Sequence, residues 1–225
     1  PVSFEFYPPK TPEQHEQLER TVTRLRVHAP QFVSVTFGAG GSTLSYTPDT
    51  VRALREVHGL EAVPHLSCMG GTRSEIAALL EQYRDIGCTR VVALRGDLPS
   101  GMATSGDFRY AADLVRFIRS EHDRHFHITV AAYPETHPQA EDAHADVRHF
   151  VAKIEAGADN AITQYFFNHR CLFPLRRGCA PRRRERAGRA RHHAGFQLCA
   201  TAALLRAVRR RNPALDRAPH AGLWR

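Results

Sequence analysis

No apolar run in this 225-residue chain approaches the roughly 18 residues that a membrane-spanning helix needs. Cysteine is scarce, five in all, with no pair at C-x-x-C spacing. That leaves no zinc-finger pattern, and an odd count argues against a secreted disulfide framework. No secretory signal is expected either, because the chain opens directly on PVSFEF, which reads as a strand. Pro1 either follows a removed initiator Met or begins a fragment, and a reducing cytoplasm is the expected compartment. No G-x-G-x-x-G follows the first strand, which counts against a dinucleotide-binding open sheet.

One further absence divides the chain. Residues 169–225 contain no Lys, Ile, Tyr or Met, and all their cations are Arg. The formal charge of +8 divides at the same place. Residues 1–168 hold 16 Lys and Arg against 21 Asp and Glu, a balance of −5, while residues 169–225 hold 15 against 2, a balance of +13. Two compositions share one chain.

What is present in the first part is a repeat. Strand-like runs stand at SFEFY (3–7), FVSVTFG (32–38), AVPHLSC (62–68), RVVALRG (90–96), ITVAAY (128–133) and NAITQYFF (160–167). They recur at roughly the 30-residue length of one strand–helix unit, and several are apolar nearly throughout, as doubly covered parallel strands are. The helices between them announce their ends. Thr11-Pro12-Glu13-Gln14 offers an N-cap, a first-turn proline and a capping-box glutamine. Thr47-Pro48-Asp49 opens the second helix and Gly59 closes it, while Thr72 and Glu75 form a capping box for the third, which stops at Gly87. A fourth helix carries Ala111, Leu114, Val115 and Ile118, and a fifth runs through Val147, Phe150, Val151 and Ile154 to Gly157.

This alternation predicts an α/β fold with a parallel sheet, either an open doubly wound sheet or a (β/α)8 TIM barrel truncated after about six strands. The barrel is the favoured expectation, because polar residues gather at the strand ends: Glu5, Thr36, His65, Arg95, Asp97, Tyr133 and Gln164. In a barrel these ends open on one face, where the chemistry sits.

Several of these residues suit chemistry. Glu5 lies between Phe4 and Phe6, and a carboxyl buried there would be poised to donate a proton near neutral pH. It could equally be a salt-bridged structural residue. Arg95-Gly96-Asp97 sets opposite charges around a glycine at a strand end, suited to close ligand approach or to an ion pair closing the loop. The glycine-rich turn from Thr36 to Gly41 lacks the P-loop Lys-Ser/Thr, so it points only weakly to phosphate. His122, Asp123, His125 and His127 resemble a metal cluster, but they fall before the fifth strand, opposite the expected chemistry, and no metal is expected. His137 and His144 flank the start of the fifth helix, whose N-terminus can assist an anion.

Six segments, SFEFYPPK, FVSVTFGAGGS, EAVPHLSC, VVALRGDLP, VAAYPETHP and GADNAITQYFF, together resemble the methylenetetrahydrofolate reductase family, in its order and spacing across residues 1–168. The bacterial, catalytic-domain-only form is the nearest likeness. The resemblance implies an FAD-dependent reduction of 5,10-methylenetetrahydrofolate to 5-methyltetrahydrofolate, with NADH or NADPH re-reducing the flavin in a separate half-reaction. It makes Glu5 the general acid and sets Asp97 beside flavin and folate, stabilising the positive charge of the iminium intermediate.

The same likeness implies FAD contacts from Thr36, Phe37, Ala39, His65, Arg95, Gly96, Asp97, Ala111 and Tyr133. Adenosine and pyrophosphate contacts would come from His137, Ala140, Asp146, His149 and Lys153. Gln164 would touch both folate and nicotinamide, and Thr36 the nicotinamide. Phe37 stands where relatives commonly have tyrosine, and Ala152 lacks a basic side chain that some carry. The intact family member would be a homo-oligomer without membrane or nucleic-acid partners. Another flavin-dependent barrel oxidoreductase is the neighbouring alternative.

By this reading the likeness ends at Asn168, and the Arg-rich tail of residues 169–225 is foreign to the family, with no strand signal, and poorly ordered. It is either an arm for nucleic acid or an acidic partner, on an inactive barrel, or the product of a reading-frame slip in a GC-rich gene. The slip is the stronger reading. Codons for Arg191-His192-His193-Ala194-Gly195, read one base later, can spell Gly-Ile-Met-Pro, and those for Arg211 to Arg217 can spell Glu-Ile-Pro-Arg-Trp-Ile. Both segments occur in the family at about these places.

Overall fold

The computed structural model describes residues 2–37, 46–96, 106–172, 174, 175 and 195–197. Strands β1 (Ser3–Phe6), β2 (Phe32–Val35), β3 (Ala62–Ser67), β4 (Arg90–Leu94), β5 (His127–Ala132) and β6 (Asn160–Thr163) alternate with helices α1 (Pro12–Leu25), α2 (Tyr46–Glu56), α3 (Arg73–Asp85), α4 (Ala111–His122) and α5 (Ala143–Glu155). All strand pairs are parallel, and their order in space is their order in sequence. A doubly wound sheet reverses direction at a switch point, and this one does not. The six strands curl as part of a TIM-like barrel.

Local chemistry explains most element ends, with corrections. Thr72 and Glu75 form the capping box: Thr72 N donates to Glu75 Oε2 at 2.8 Å, and Glu75 N to Thr72 Oγ1 at 3.3 Å. At α1 the box is altered. Gln14 N donates to Thr11 Oγ1, but the Gln14 side chain accepts from Lys10 N, one residue further back than its cap. Thr47 does not open α2, which already begins at Tyr46; its buried hydroxyl instead donates to Thr36 O at 3.1 Å and ties the helix to the end of β2. Asp142, an unforeseen cap, accepts from Ala145 N at 2.6 Å and starts α5.

The strands stop short of the expected limits at their C-terminal ends. β6 ends at Thr163 rather than running to Phe167, because after the bond from Gln164 N to Ala132 O the chain turns away. Glu135 Oε1 then captures Phe167 N at 2.8 Å and Asn168 N at 2.9 Å. The expectation of no strand in the tail is also corrected, by a short seventh strand, β7 (Gly195–Gln197), parallel to β6. Its pairing is through backbone groups, which an open sheet edge offers to any extended segment whatever its side chains. The rest of the tail beyond Leu175 lies outside the described residues.

Register assigns the two faces of the sheet. Ser3 pairs with Phe32, Ser34 with Val63, His65 with Val92, Val92 with Thr129, and Thr129 with Asn160. Partners in register share a face. The outer face, with Phe6, Val33, Val35, Leu66, Val91, Ala93, Ile128 and Val130, packs under the helices against Val22, Leu54, Leu80, Leu114, Ile118 and Phe150. Leu175 joins this core. The inner face holds a much smaller apolar cluster, Phe32, Val63 and Val92, backed by Leu94. Among the described residues, no helix is long and apolar enough to cross a membrane.

Candidate active site

Because side chains alternate along a strand, the register that sets Ser34, Val63, Val92 and Thr129 on the inner face carries forward to the strand ends. Glu5, Thr36, His65, Gly96, Tyr133 and Gln164 share that parity. They come from six different strands or the residues just after them, and they gather at one mouth of the barrel.

Glu5 and His65 meet there across the intervening Ser34, with His65 Nε2 3.5 Å from Glu5 Oε2. His65 is buried, and burial pushes its pKa down from 6.5 to about 4, so the ring is neutral at physiological pH. Glu5, expected to be buried, keeps 49% of its side chain exposed, yet partial desolvation still holds its carboxyl above the ordinary carboxylate value. The contact is therefore an approach to a neutral imidazole rather than an ion pair. A carboxyl with a raised pKa beside an uncharged ring keeps its proton longer on the way to neutrality, which is what a general acid requires.

The depressed His65 pKa makes a stability prediction. The unfolded state binds a proton near pH 6.5 and the folded state only near pH 4, so folding loses stability as pH falls through that window, by about 3 kcal/mol at the limit. Glu5 acts with the opposite sign, its raised pKa favouring the folded state on the acid side. Thermal melts between pH 6.5 and 4 should show a shallower acid decline in His65→Gln than in the native chain. Parallel declines would place the acid sensitivity elsewhere.

The turn after β4 is built for close approach. Gly96 has φ +81°, and a Cβ there would collide with Ser67 Oγ, which itself donates to Arg95 O at 3.0 Å. Met69 N also donates to Arg95 O, at 2.9 Å, so the carbonyl is fixed twice. The Arg95 guanidinium bonds the Gln139 side chain and holds the β4 turn against the loop after β5. In that loop Tyr133 packs edge-on against His137, ring centroids 4.4 Å apart.

A second group forms around the start of α5. Asp146, in its first turn, accepts from His137 N at 2.9 Å, and Ala140 N donates to His137 O, so the loop wraps the helix N-terminus. Two turns on, Lys153 reaches inward and donates from Nζ to Ala131 O at 2.6 Å. Burial drives its pKa down from 10.5 to about 8, with Asp146 opposing the shift. His149, exposed, lies over Tyr110 at a centroid distance of 5.1 Å.

The chain matches known proteins. The family model described as methylenetetrahydrofolate reductase covers residues 1–184. The chain belongs to that family. The 5,10-methylenetetrahydrofolate reductase of Salmonella typhimurium is 43% identical over 178 residues, and that of Escherichia coli 42% over the same length. Each alignment covers 79% of this chain and 59% of the relative, so the chain spans under two thirds of the relatives it matches. A plant relative, methylenetetrahydrofolate reductase (NADH) 1 of Arabidopsis thaliana, is 38% identical over 74% of this chain. Among solved structures, 2,3-dimethylmalate lyase matches with a TM-score of 0.59 over 98% of this chain and 82% of its own, at 12% identity, which speaks to fold alone.

The family match runs past Asn168, where the sequence motifs stop. Of the expected site residues, Glu5, Thr36, His65, Gly96, Tyr133 and Gln164 converge at the barrel mouth, with Arg95 at its rim. Phe37 packs against the outer core beside them. His137, Ala140, Asp146, His149 and Lys153 form the second group, and Ala111 opens α4. Asp97 and Ala39 lie outside the described residues. Sequence reasoning missed Gln139, the partner of Arg95, and Ser67, whose hydroxyl makes Gly96 necessary. It also missed Glu135, which folds the 164–168 segment. Glu135 sits inside the family segment VAAYPETHP, but nothing in its spacing marks its partners.

Proposed function

We propose that the chain is the flavin-binding portion of a methylenetetrahydrofolate reductase, which uses NADH or NADPH to convert 5,10-methylenetetrahydrofolate to 5-methyltetrahydrofolate, in one-carbon metabolism and methionine biosynthesis. The observation that carries this reading is Glu5 at the barrel mouth, its pKa raised and its carboxyl 3.5 Å from the neutral His65. When bound, FAD supplies hydride for the substrate's one-carbon unit.

The residues present fit such a cofactor. A buried cation is costly, and Lys153 is held at about 3 kcal/mol of charge penalty below its pKa of about 8. A pyrophosphate beside it would offset that penalty, with N–H groups of the wrapped α5 N-terminus available nearby. His137, Ala140, Asp146, His149 and Lys153 would hold the adenosine and pyrophosphate. Thr36, Phe37, Ala39, His65, Arg95, Gly96, Asp97, Ala111 and Tyr133 would hold the remainder, Gly96 by admitting it close to the backbone.

The chain's own part in the chemistry falls to four residues. Glu5 hands a proton from a carboxyl oxygen to the ring nitrogen that leaves as the imidazolidine ring opens. The resulting iminium carries positive charge, which the Asp97 carboxylate would stabilise. Gln164, at the inner-face end of β6, would orient folate and then nicotinamide, and Thr36 would contact the nicotinamide. We assign the part of the tail beyond the family match, which runs to residue 184, to a one-base reading-frame slip. The Arg-rich composition of the tail supports this, as does an alignment to relatives that covers only 79% of the chain.

Lys153→Met separates cofactor binding from stability. The flavin-free protein should gain about 1–3 kcal/mol, because a buried charge is removed. FAD affinity should fall by about tenfold or more with the loss of a charge-assisted contact. Thermal melts and flavin-fluorescence titration measure the two. Loss of stability with unchanged FAD affinity would remove Lys153 from the cofactor site.

A further inference from the structure

The segment after β6 is pinned twice to the end of β5. Gln164 N donates to Ala132 O at 2.8 Å, and Phe167 N and Asn168 N both donate to Glu135 Oε1, at 2.8 and 2.9 Å. Only Tyr165 and Phe166 lie between the two pins. Gln164, Tyr165 and Phe167 are exposed, so packing does not hold them in place. Past the second pin, Arg170 N donates to Asn168 Oδ1 and Cys171 N to Asn168 O, closing a short helical turn. One carboxylate thus sets the direction in which the chain leaves Gln164.

The backbone that carries Glu135 is strained. Thr136, the next residue, has φ +71°, in the left-handed region that β-branched residues rarely enter. Such a conformation persists where contacts on either side over-determine it. On one side stand the two bonds to Glu135. On the other, His137 N donates to Asp146 Oδ2 at 2.9 Å, and the His137 ring packs against Tyr133. A single turn therefore ties the segment after β6 to the start of α5.

We propose that Glu135 is a positioning residue: by holding the Phe167 and Asn168 N–H groups it fixes Gln164 in the orientation that meets folate and nicotinamide before either arrives. This rests on the reductase reading of the barrel mouth. Glu135 acts through Gln164 and not by touching a substrate. Without it, the order of residues 164–168 would have to be supplied by each substrate's binding free energy. Such a loss weakens the ground state and the transition state alike, so KM rises while kcat changes little.

Glu135→Ala, Glu135→Gln and Gln164→Ala test this. In the 225-residue chain, hydrogen exchange at the Phe167 and Asn168 amides, followed by NMR, should be about tenfold or more faster in Glu135→Ala, the loss of bonds to a charged acceptor. Exchange at the native rate would overturn the proposal. In the FAD-loaded chain whose downstream frame is restored, Glu135→Ala should raise KM for folate and for NADH by about tenfold, with kcat within about threefold of native. FAD affinity, measured by fluorescence titration, should stay native although His137 is two residues away. Glu135→Gln keeps an accepting oxygen and should bring both KM values back to within about threefold of native. Added to Gln164→Ala, Glu135→Ala should have no further effect, because both remove the same interaction. If Glu135→Ala does not fold, Glu135→Asp, one methylene shorter in reach, takes its place. Loss of FAD affinity in step with KM, no rescue by Glu135→Gln, or full additivity with Gln164→Ala would make Glu135 a structural part of its loop and overturn the proposal. Raised KM values in Gln164→Ala with native values in Glu135→Ala would overturn the positioning alone. Native KM values in Gln164→Ala would overturn the role of Gln164 in the reductase reading, and the positioning with it.

Discussion

Glu5→Gln should slow folate reduction by about 10²–10⁴-fold, the usual contribution of a positioned general acid, while flavin reduction by NADH or NADPH proceeds at its native rate. Glutamine preserves size and can still sit against His65 Nε2, so the barrel mouth stays intact while its transferable proton is gone. Only the folate half-reaction requires ring-opening acid catalysis. Stopped-flow absorbance of the flavin separates the halves, in a chain whose downstream frame is restored. Equal loss in both would make Glu5 a structural residue of the mouth, not its acid.

The largest stability effect is expected at Arg119. This side chain, 15% exposed, bonds the carbonyls of Gly157, Asp123 and Phe126 as well as the Asp159 carboxylate. It thereby ties the end of α4 to the starts of β5 and β6. Arg119→Met strands the largely buried Asp159 charge, 19% exposed, and leaves several carbonyls without a donor. Removing one partner of a buried pair typically costs about 3–5 kcal/mol. The melting temperature should drop on the order of 10 °C, read by calorimetry. A decline within about 1 kcal/mol, the scale of an exposed pair, would show that water replaces these bonds.

What the sequence made legible follows from how each feature is encoded. Runs of nearly all-apolar strand residues, the Thr72–Glu75 box and Gly87 are local signals, and they specified the alternating units and the parallel sheet. The choice of a barrel over an open sheet rested on the polar strand ends, and register later showed Glu5, Thr36, His65, Tyr133 and Gln164 to share one face. Strand C-terminal limits were overextended because non-local bonds end them. Phe166 and Phe167 look like strand residues, yet Glu135, far back in sequence, turns that segment away. Thr47 resembled a cap and instead bonds Thr36 O, a contact between elements that no local pattern reveals.

The site divides in the same way. Glu5 was conspicuous as a carboxylate within an aromatic strand, and Gly96 as a glycine at a strand end. Their partners were not visible. His65 reaches Glu5 only because parallel register brings β1 and β3 onto one face with β2 between them. Gln139 meets Arg95 only when two loops fold over the same rim. Residues defined by burial and pairing across strands carry no local mark, which is why Arg119 passed unnoticed.

The central assignment is tested most directly by a single turnover on the chain whose downstream frame is restored. FAD-loaded protein is bleached anaerobically with NADH, freed of excess nucleotide and mixed with 5,10-methylenetetrahydrofolate. The predicted result is return of the oxidised flavin absorbance together with 5-methyltetrahydrofolate, stoichiometric with flavin. A protein that holds FAD and accepts hydride from NADH, yet stays bleached and leaves the folate unchanged, would contradict it.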